Sequence, residues 1–245
     1  MSRALEIAET VEAILADPAP VLMLDTCVLL DVIRAPQRER LDTIVAAKRL
    51  LDLVRTTPQS LHVVTQAMVV VEWRDSHDGV RADTEHFVDR IARALADVTS
   101  AAQLLGLVCP AASKPGALGI PQRLEDLAVE IMDASTLVLH HQECQLRALD
   151  RVTLKRPPAG AAGQVKDSVI CEHYLEISRA LKHRGFGSPC VFTSSNTRDY
   201  CIEKSYLLPG LSTEFTDACL SFASSIGMAL GMLGLSRADE GGGLA

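Results

Sequence analysis

Short apolar runs along the chain predict buried β-strands. Val21–Leu24 is a continuous apolar run that leads directly into Asp25, and Cys190–Thr193 is a similar run much later in the chain. Runs of this length without alternation are typical of parallel strands that are covered on both faces. Leu61–Thr65 and Cys219–Phe222 predict two further strands. The pattern therefore predicts a small parallel sheet.

The segments between these runs have apolar residues at the three- and four-residue spacing of amphipathic helices. The predicted helices span residues 3–16, 27–33, 38–54, 66–74, 83–105, 121–149 and 165–182, with a short helix after the last strand. Strands that alternate with helices favour parallel pairing, with helices on both faces of the sheet. The sequence thus predicts an α/β fold with three layers, α/β/α.

The stretch from residue 76 to 160 shows no strand pattern, and we predict a helical insertion within a single domain of residues 1–245. Because both ends of this insertion join elements that carry acidic residues, we expect it to form a helical cap beside the ligand-binding edge of the sheet. Residues 156–163 predict a flexible loop, in which 157–163 would be a hinge or a flap. Residues 195–199 predict another loop, and 241–245 a disordered end.

The composition indicates a folded protein in which any contact with phosphate groups is local. With 48% hydrophobic residues, the 245-residue chain can bury the core of one domain, with or without a large insertion. Its net charge of −7 provides no general attraction for nucleic acid. A site that binds a metal ion through carboxylates is itself acidic until the cation arrives, so this charge is compatible with such a site.

The cysteines and the apolar segments predict a cytoplasmic protein. The seven cysteines are scattered, odd in number and never spaced as C-x-x-C, which is typical of free, partly buried thiols in a reducing compartment. The first ten residues lack the pattern of a secretory signal, and no apolar stretch approaches the roughly 18 residues of a membrane span. We therefore expect no membrane association.

Two acidic residues follow predicted strands of the sheet. Asp25 ends the run Val21–Leu24, and Asp199 follows Cys190–Thr193 across a short polar loop. Because ligands bind beyond the carboxyl ends of parallel strands, both side chains are expected at the functional edge. The simpler alternative is that a strand-end Asp only caps the next helix, and the sequence leaves it open.

Two further acids lie on predicted helices. Asp167 continues the apolar stripe of helix 165–182 back into its first turn, where capping is again the alternative. Glu72 stands in an apolar run before Trp73; a solvated position or a salt bridge to Arg34 or Arg74 would also explain it. Glu172 lies about 140° around the helix from Asp167 and is only a flanking candidate. Four acids from four elements could form the oxygen cage that Mg²⁺ or Mn²⁺ requires.

Three segments carry a resemblance to a known family. Residues 21–31, VLMLDTCVLLD, resemble the opening of PIN-domain nucleases, an apolar strand followed by Asp-Thr and a short helix. Residues 166–175, KDSVICEHYL, and 191–200, VFTSSNTRDY, are similar to the third and fourth acidic motifs of that family. They resemble most the larger PIN-like branch with Lys-Asp-Ser and Thr-x-x-Asn-x-x-Asp. The resemblance covers the sheet-forming parts of the chain and says little about residues 76 to 160.

The resemblance implies a metal-dependent endoribonuclease, often the toxin of a toxin–antitoxin pair, with RNA as substrate and an antitoxin or a second copy as protein partner. The implied catalytic carboxylates are Asp25, Glu72, Asp167 and Asp199. Asp25, Asp167 and Asp199 would hold Mg²⁺ or Mn²⁺, and Glu72 would position the attacking water or a second ion.

Polar residues near these acids are candidates for supporting roles. The hydroxyl and amide side chains expected to hold the carboxylates in place are Thr26, Thr193, Ser194 and Asn196. Each of them is equally well explained as a turn residue at a strand end. Lys166 and Arg198, and also the pair Lys155–Arg156, could bind phosphate, although basic loop residues are usually only solvated.

Two other functions compete with the nuclease hypothesis. A HAD-type phosphatase also begins with an Asp after an apolar strand, but it needs a second Asp two positions later, where this chain has Cys27. The second alternative is a catalytically silent PIN-like scaffold that binds RNA or a protein. The presence of all four acids favours the enzyme.

Overall fold

The chain folds around a parallel sheet. The computed structural model describes residues 4–108, 115–159, 165–203 and 206–236. The strands are β1 (Ala4–Leu5), β2 (Val21–Leu24), β3 (His62–Gln66), β4 (Thr136–Val138), β5 (Cys190–Thr193), β6 (Cys201–Ile202), β7 (Tyr206–Leu207) and β8 (Leu220–Ala223). Six of them pair in parallel in the order β1–β4–β3–β2–β5–β8, while β6 and β7 form a separate antiparallel hairpin.

Helices flank the sheet in two groups. The helices are α1 (Ile7–Ala16), α2 (Thr26–Arg34), α3 (Leu41–Val54), α4 (Ala67–Leu104), α5 (Ile120–Ala134), α6 (Gln142–Thr153), α7 (Val165–His183), α8 (Thr197–Tyr200), α9 (Pro209–Ala218) and α10 (Ile226–Met232). One group joins α2, α3, α5 and α10, and the other joins α1, α6, α7 and α9. The fold is therefore α/β as predicted, and this grouping is compatible with three layers.

The strongest strand predictions are confirmed. All four residues of β2 are buried, and so are those of β5, because β2 lies in the middle of the sheet and β5 pairs directly with it. Leu24 pairs with Thr193 in register, which brings the ends of these two strands to the same edge. Among the helices of the described ranges, none combines the length and apolar character needed to cross a bilayer.

The prediction that residues 76 to 160 contain no strand is wrong. β4 pairs with β3 in parallel and thereby becomes part of the sheet, and it splits the predicted helix 121–149 into α5 and α6. A strand of three residues is too short to show an alternating pattern, so the helical pattern on both sides concealed it.

The expected cap at the sheet edge is not formed by α5 and α6. Helix α5 packs against α2 and α3, and α6 packs against α7, so each is part of one of the two helical groups. Residues 160–163 of the proposed flap, 157–163, lie outside the described residues, and the end of the chain at 241–245 lies outside them entirely.

The predicted helices 66–74 and 83–105 are a single helix, α4, of 38 residues. The sequence prediction left residues 75–82 outside both helices, but the helix continues because Val80 and Thr84 are buried. The Thr84 hydroxyl lies 3.3 Å from the backbone oxygen of Ile33 in α2. Arg81 adds ion pairs one turn away in both directions, to Asp78 and Glu85.

Smaller differences occur at the starts of α1 and α3 and in the segment after β5. Helix α1 begins at Ile7 rather than at residue 3, because the preceding residues form β1 beside β4. Helix α3 begins at Leu41 rather than at residue 38. The predicted loop 195–199 contains the start of the short helix α8.

Candidate active site

Asp25 lies at the carboxyl end of β2 and is 2% exposed. It caps α2, since its Oδ1 accepts a hydrogen bond from the Thr26 amide at 2.7 Å. Its other oxygen, Oδ2, accepts hydrogen bonds from the Ser194 hydroxyl at 2.5 Å and from the Cys27 thiol at 3.1 Å. Asp25 thus combines the capping role with a contact to the neighbouring strand end. Burial raises the pKa of its carboxyl, and the three hydrogen bonds oppose that rise.

The segment after β5 connects Asp25 to two other acids. The Ser194 hydroxyl accepts a hydrogen bond from the backbone amide of Asn196 at 3.2 Å. The side-chain nitrogen Nδ2 of Asn196 donates to Asp199 Oδ2 at 2.9 Å and lies 3.3 Å from Asp167 Oδ2. The side-chain amide of Asn196 therefore connects the carboxylates of Asp167 and Asp199, and its backbone is linked to Asp25 through Ser194.

Asp167 is a strongly perturbed acid of the cluster. It lies in the first turn of α7 and is 9% exposed. Burial raises the pKa of its carboxyl to about 8, with further contributions from the negative charges of Asp25, Glu72 and Asp199, while the Asn196 hydrogen bond opposes them. The three neighbouring acids all act on this one carboxyl, so the four groups share one electrostatic environment.

Glu72 approaches the cluster from α4. Its Oε2 accepts a hydrogen bond from the Thr26 hydroxyl at 2.6 Å, and Thr26 follows Asp25 directly. Glu72 is half-buried, and burial raises the pKa of its carboxyl, helped by the charge of Asp25. In the described part of the chain, none of the four acids forms an ion pair with an Arg, Lys or His side chain. Glu72 therefore does not form the alternative salt bridge to Arg34 or Arg74.

The remaining predicted residues lie close to the acids but differ in their contacts. Among the described residues, the buried Thr193 hydroxyl has no hydrogen-bond partner, so its predicted contact with a carboxylate is wrong. Its backbone oxygen instead accepts from the Asp25 amide at 3.0 Å.

Lys166 is exposed, and its Nζ donates to Asp75 at 3.0 Å. Its charge also opposes the rise in the pKa of Glu72. Arg198 is exposed beside Asp199.

Two tyrosines fix α7 and α8 around the acids, and sequence reasoning missed both roles. The Tyr174 hydroxyl donates to the Leu24 backbone oxygen at 2.6 Å and accepts from the Gln66 amide at 3.0 Å. The Tyr200 hydroxyl donates to the Asp167 backbone oxygen at 3.2 Å. Tyr174 lies seven positions after Asp167 on the same helix stripe. A buried tyrosine hydroxyl needs a polar partner, which was the available signal.

Glu172, the flanking candidate, belongs to a different cluster. It is buried between α6 and α7, where its carboxylate pairs with Arg151 and, at 2.9 Å, with Arg147. Arg151 is also buried, and it pairs with Glu214 of α9 and donates to the Pro157 backbone oxygen at 2.6 Å. Glu172 therefore anchors helices and does not join the four acids.

The four acids match Mg²⁺ or Mn²⁺ in donor type and charge, because each offers carboxylate oxygens and none has a basic partner among the described residues. Two ligands of one Mg²⁺ lie within about 4.2 Å of each other, since each Mg–O distance is 2.0–2.1 Å. No three of these acids bring ligand atoms within 4.8 Å of one another in the described residues. Ser194, Thr26 and Asn196 hold the side chains at this wider spacing, so three oxygens reach one ion only after side-chain rotation.

A second group of ligand-type residues lies between α4 and α5. His77, Asp78 and Glu125 have ligand atoms within 4.8 Å of one another, the one such group in the described residues. Arg81 already compensates both carboxylates, at 2.9 Å from Glu125 and 3.0 Å from Asp78. Gln122 donates a further hydrogen bond to Glu125 at 3.1 Å. These contacts explain the group as an ion-pair cluster that joins two helices.

The raised pKa values predict that the metal-free protein loses stability as pH increases. Folding favours the protonated form of Asp167, since its pKa is 3.8 in isolation and about 8 in the fold. The stability that the protonated carboxyl contributes is fully present below about pH 4. It decreases as pH rises above 4 and is lost once pH has passed through 8. Burial lowers the pKa of His173 from 6.5 to about 4. This shift makes stability rise with pH, but only below about pH 6.5.

We therefore expect the free energy of unfolding, measured with urea in the presence of EDTA, to fall by about 1 to 2 kcal/mol between pH 6.5 and 8. Asp167→Asn should flatten this dependence. Asp150→Asn, which removes an exposed acid on α6, should leave it unchanged. A wild-type protein whose stability is constant or rises over this interval would contradict the assignment.

Four separate elements supply the acids: Asp25 follows β2, Glu72 lies in α4, Asp167 lies in the first turn of α7, and Asp199 lies in α8. Their hydrogen bonds connect them into one cluster at the carboxyl edge of the sheet. No family model, curated protein or solved structure matches the chain, so the family resemblance of its motifs stays a prediction.

Proposed function

We propose that this protein is a PIN-like endoribonuclease that hydrolyses RNA phosphodiesters with the help of Mg²⁺ or Mn²⁺. The observation that supports it most is the environment of Asp167, a buried carboxyl surrounded by three other acids and no basic partner in the described residues. A buried ionisable group without a compensating partner is costly, so proteins rarely keep one without a function. A divalent cation would relieve this repulsion.

Asp25 and Asp167 would hold the principal ion, and Asp199 would bind it directly or through water. When bound, the ion supplies a more acidic water and neutralises charge that develops on the phosphate group. The fold contributes the orientation of the ligands. Ser194 and the Thr26 amide fix the two oxygens of Asp25, and Asn196 fixes the carboxylates of Asp167 and Asp199.

Glu72 is suited to a role in proton transfer. Its carboxylate is half-buried, its pKa is raised, and Thr26 holds Oε2 in place. A carboxylate with a raised pKa is a better base near neutral pH than an exposed one. Glu72 would therefore accept a proton from the attacking water at its other oxygen, Oε1, or orient that water.

Binding of the RNA backbone would depend on local positive charge, because the protein as a whole carries −7. Lys166 lies one position before Asp167, and Arg198 one position before Asp199, so each is adjacent in sequence to a metal-binding candidate. Both are exposed. They are the residues that we assign to phosphate contacts beside the acids.

Incubation of the purified protein with a mixed RNA pool tests this function. We expect degradation in Mg²⁺ or Mn²⁺ and none in EDTA, together with a rise of the thermal midpoint when the ion is added, because the ion binds the folded state. RNA that is bound but left intact in both metals would favour a catalytically silent RNA-binding scaffold. No thermal shift and no cleavage would show that the four acids do not form a metal site.

A further inference from the structure

Tyr206 is unusual among the aromatic residues of this protein. The chain has nine of them, and all nine lie in the described residues. Eight are buried or half-buried, whereas Tyr206 is 73% exposed. It takes part in no ring stacking or cation contact within the described ranges. An exposed aromatic ring adds nothing to the core, so a binding role must be considered.

Tyr206 has an apolar neighbour on the hairpin β6–β7. It pairs in register with Ile202, which is 44% exposed. Side chains that are directly opposite in an antiparallel pair point to the same face of the ribbon. The exposed face of the hairpin therefore carries an aromatic ring beside an aliphatic side chain, a surface suited to the flat face of another ring.

The hairpin is fixed to the acid cluster. It begins directly after α8, the helix that contains Asp199. The Leu208 amide, at its other end, donates to the Tyr200 backbone oxygen at 2.9 Å. Tyr200 in turn holds the first turn of α7 through its hydroxyl bond to the Asp167 backbone oxygen. Both ends of the hairpin are thus tied to elements that carry the proposed metal ligands.

The hairpin residues Ile202 and Tyr206 lie a short distance from Asp199. Ile202 is three residues after Asp199, and three extended residues span about 10 Å at most. Tyr206 is its direct partner across the hairpin, about 5 Å farther. A base that stacks on Tyr206 would therefore belong to a nucleotide within a few positions of the phosphate at the acids.

We propose that Tyr206, with Ile202, binds an unpaired nucleobase of the substrate by stacking. This inference rests on the proposed nuclease function and adds a base-binding contact to it. Every base has a stacking face, so the contact needs no particular sequence. The bases of a duplex are already stacked on each other and cannot offer that face. Arg198, exposed beside Asp199, would contact the backbone of the same strand.

The test measures binding of a labelled 12-nucleotide RNA, single-stranded or annealed to its complement, by fluorescence anisotropy. Asp167→Asn serves as the background to prevent cleavage. We expect Tyr206→Ala to weaken single-strand binding about 5- to 150-fold and to leave duplex binding unchanged. Tyr206→Phe should restore single-strand affinity, because it keeps the ring. Leu149→Ala, which removes a 57% exposed apolar side chain on α6, is the matched control.

Several outcomes would overturn the inference. Unchanged single-strand binding by Tyr206→Ala, in a protein whose wild type cleaves RNA with Mg²⁺, would refute base stacking but leave the nuclease function intact. Equal losses for single-stranded and duplex RNA would refute the contact with an unpaired base. A Tyr206→Ala protein that binds RNA normally but changes from dimer to monomer would show that the hairpin contacts a second copy. A wild type that neither binds nor cleaves RNA would refute both proposals.

Discussion

Asp167→Asn is expected to lower kcat/KM for metal-dependent RNA cleavage by about a thousandfold or more. The substitution removes a charged ligand from the candidate cation site, and metal stabilisation of developing charge is worth several kcal/mol, with 1.36 kcal/mol for each factor of ten. The fold should survive, because asparagine has nearly the same shape and the Tyr200 contact is to the backbone of residue 167. Initial cleavage rates of a labelled RNA at saturating Mg²⁺ provide the measurement.

The same variant should be at least as stable as the wild type in EDTA at pH 8. Burial and three neighbouring charges raise the pKa of Asp167, so removal of its negative charge relieves repulsion in the folded state. Asp150→Asn, on exposed α6 surface, should change neither rate nor stability. If Asp167→Asn cleaves RNA at nearly the wild-type rate, the site is wrongly assigned. If it is much less stable without metal, the acid has a structural role instead.

Arg151→Met is expected to destabilise the protein by about 3 to 5 kcal/mol. Arg151 is 2% exposed and connects three helices, since it pairs with Glu172 of α7 and Glu214 of α9 from its own position in α6. The substitution leaves Glu172 buried with only Arg147 as a partner, and it removes a donor from the Pro157 backbone oxygen. A carboxylate that loses half of its compensation in a buried site raises the free energy of the folded state.

Urea denaturation followed by circular dichroism measures this loss at pH 7. Arg55→Ala is the control, because Arg55 pairs with Glu130 at the surface at 2.9 Å with both side chains about half exposed. Such a pair contributes at most about 1 kcal/mol. A loss for Arg151→Met no larger than for Arg55→Ala would mean that the buried cluster does not anchor α7, and with it the first-turn Asp167.

The central strands and the acids beyond them follow from the sequence for a clear physical reason. A strand covered on both faces must be apolar throughout, so Val21–Leu24 and Cys190–Thr193 stand out, and the polar residues that follow them mark the sheet edge. Ser194 and Asn196 could be named from their positions. Their partners could not, because a hydrogen bond between segments distant in sequence depends on register, here Leu24 opposite Thr193.

The errors arose where local pattern and tertiary context disagree. β4 is only three residues long and depends on its pairing with β3, which no local pattern records. The continuity of α4 depends on the packing of Val80 and Thr84, which outweighs the intrinsic cost of Gly79 in a helix. Thr193 had the right position but the wrong contacts, since only its backbone reaches Asp25. The exposure of Tyr206 is likewise a property of the folded surface.

The position of β2 between β3 and β5 has a consequence for protein synthesis. A ribosome releases residues in order, at about 5 to 20 per second. Asp25 emerges early, but its strand pairs on one side with Cys190–Thr193, and Ser194 and Asn196 come later still. A nascent chain that ends before these residues lacks the group that holds Asp25, Asp167 and Asp199 together. The acid cluster therefore forms only after the chain has been synthesised beyond Asp199, and a fragment that ends before Ser194 lacks part of it.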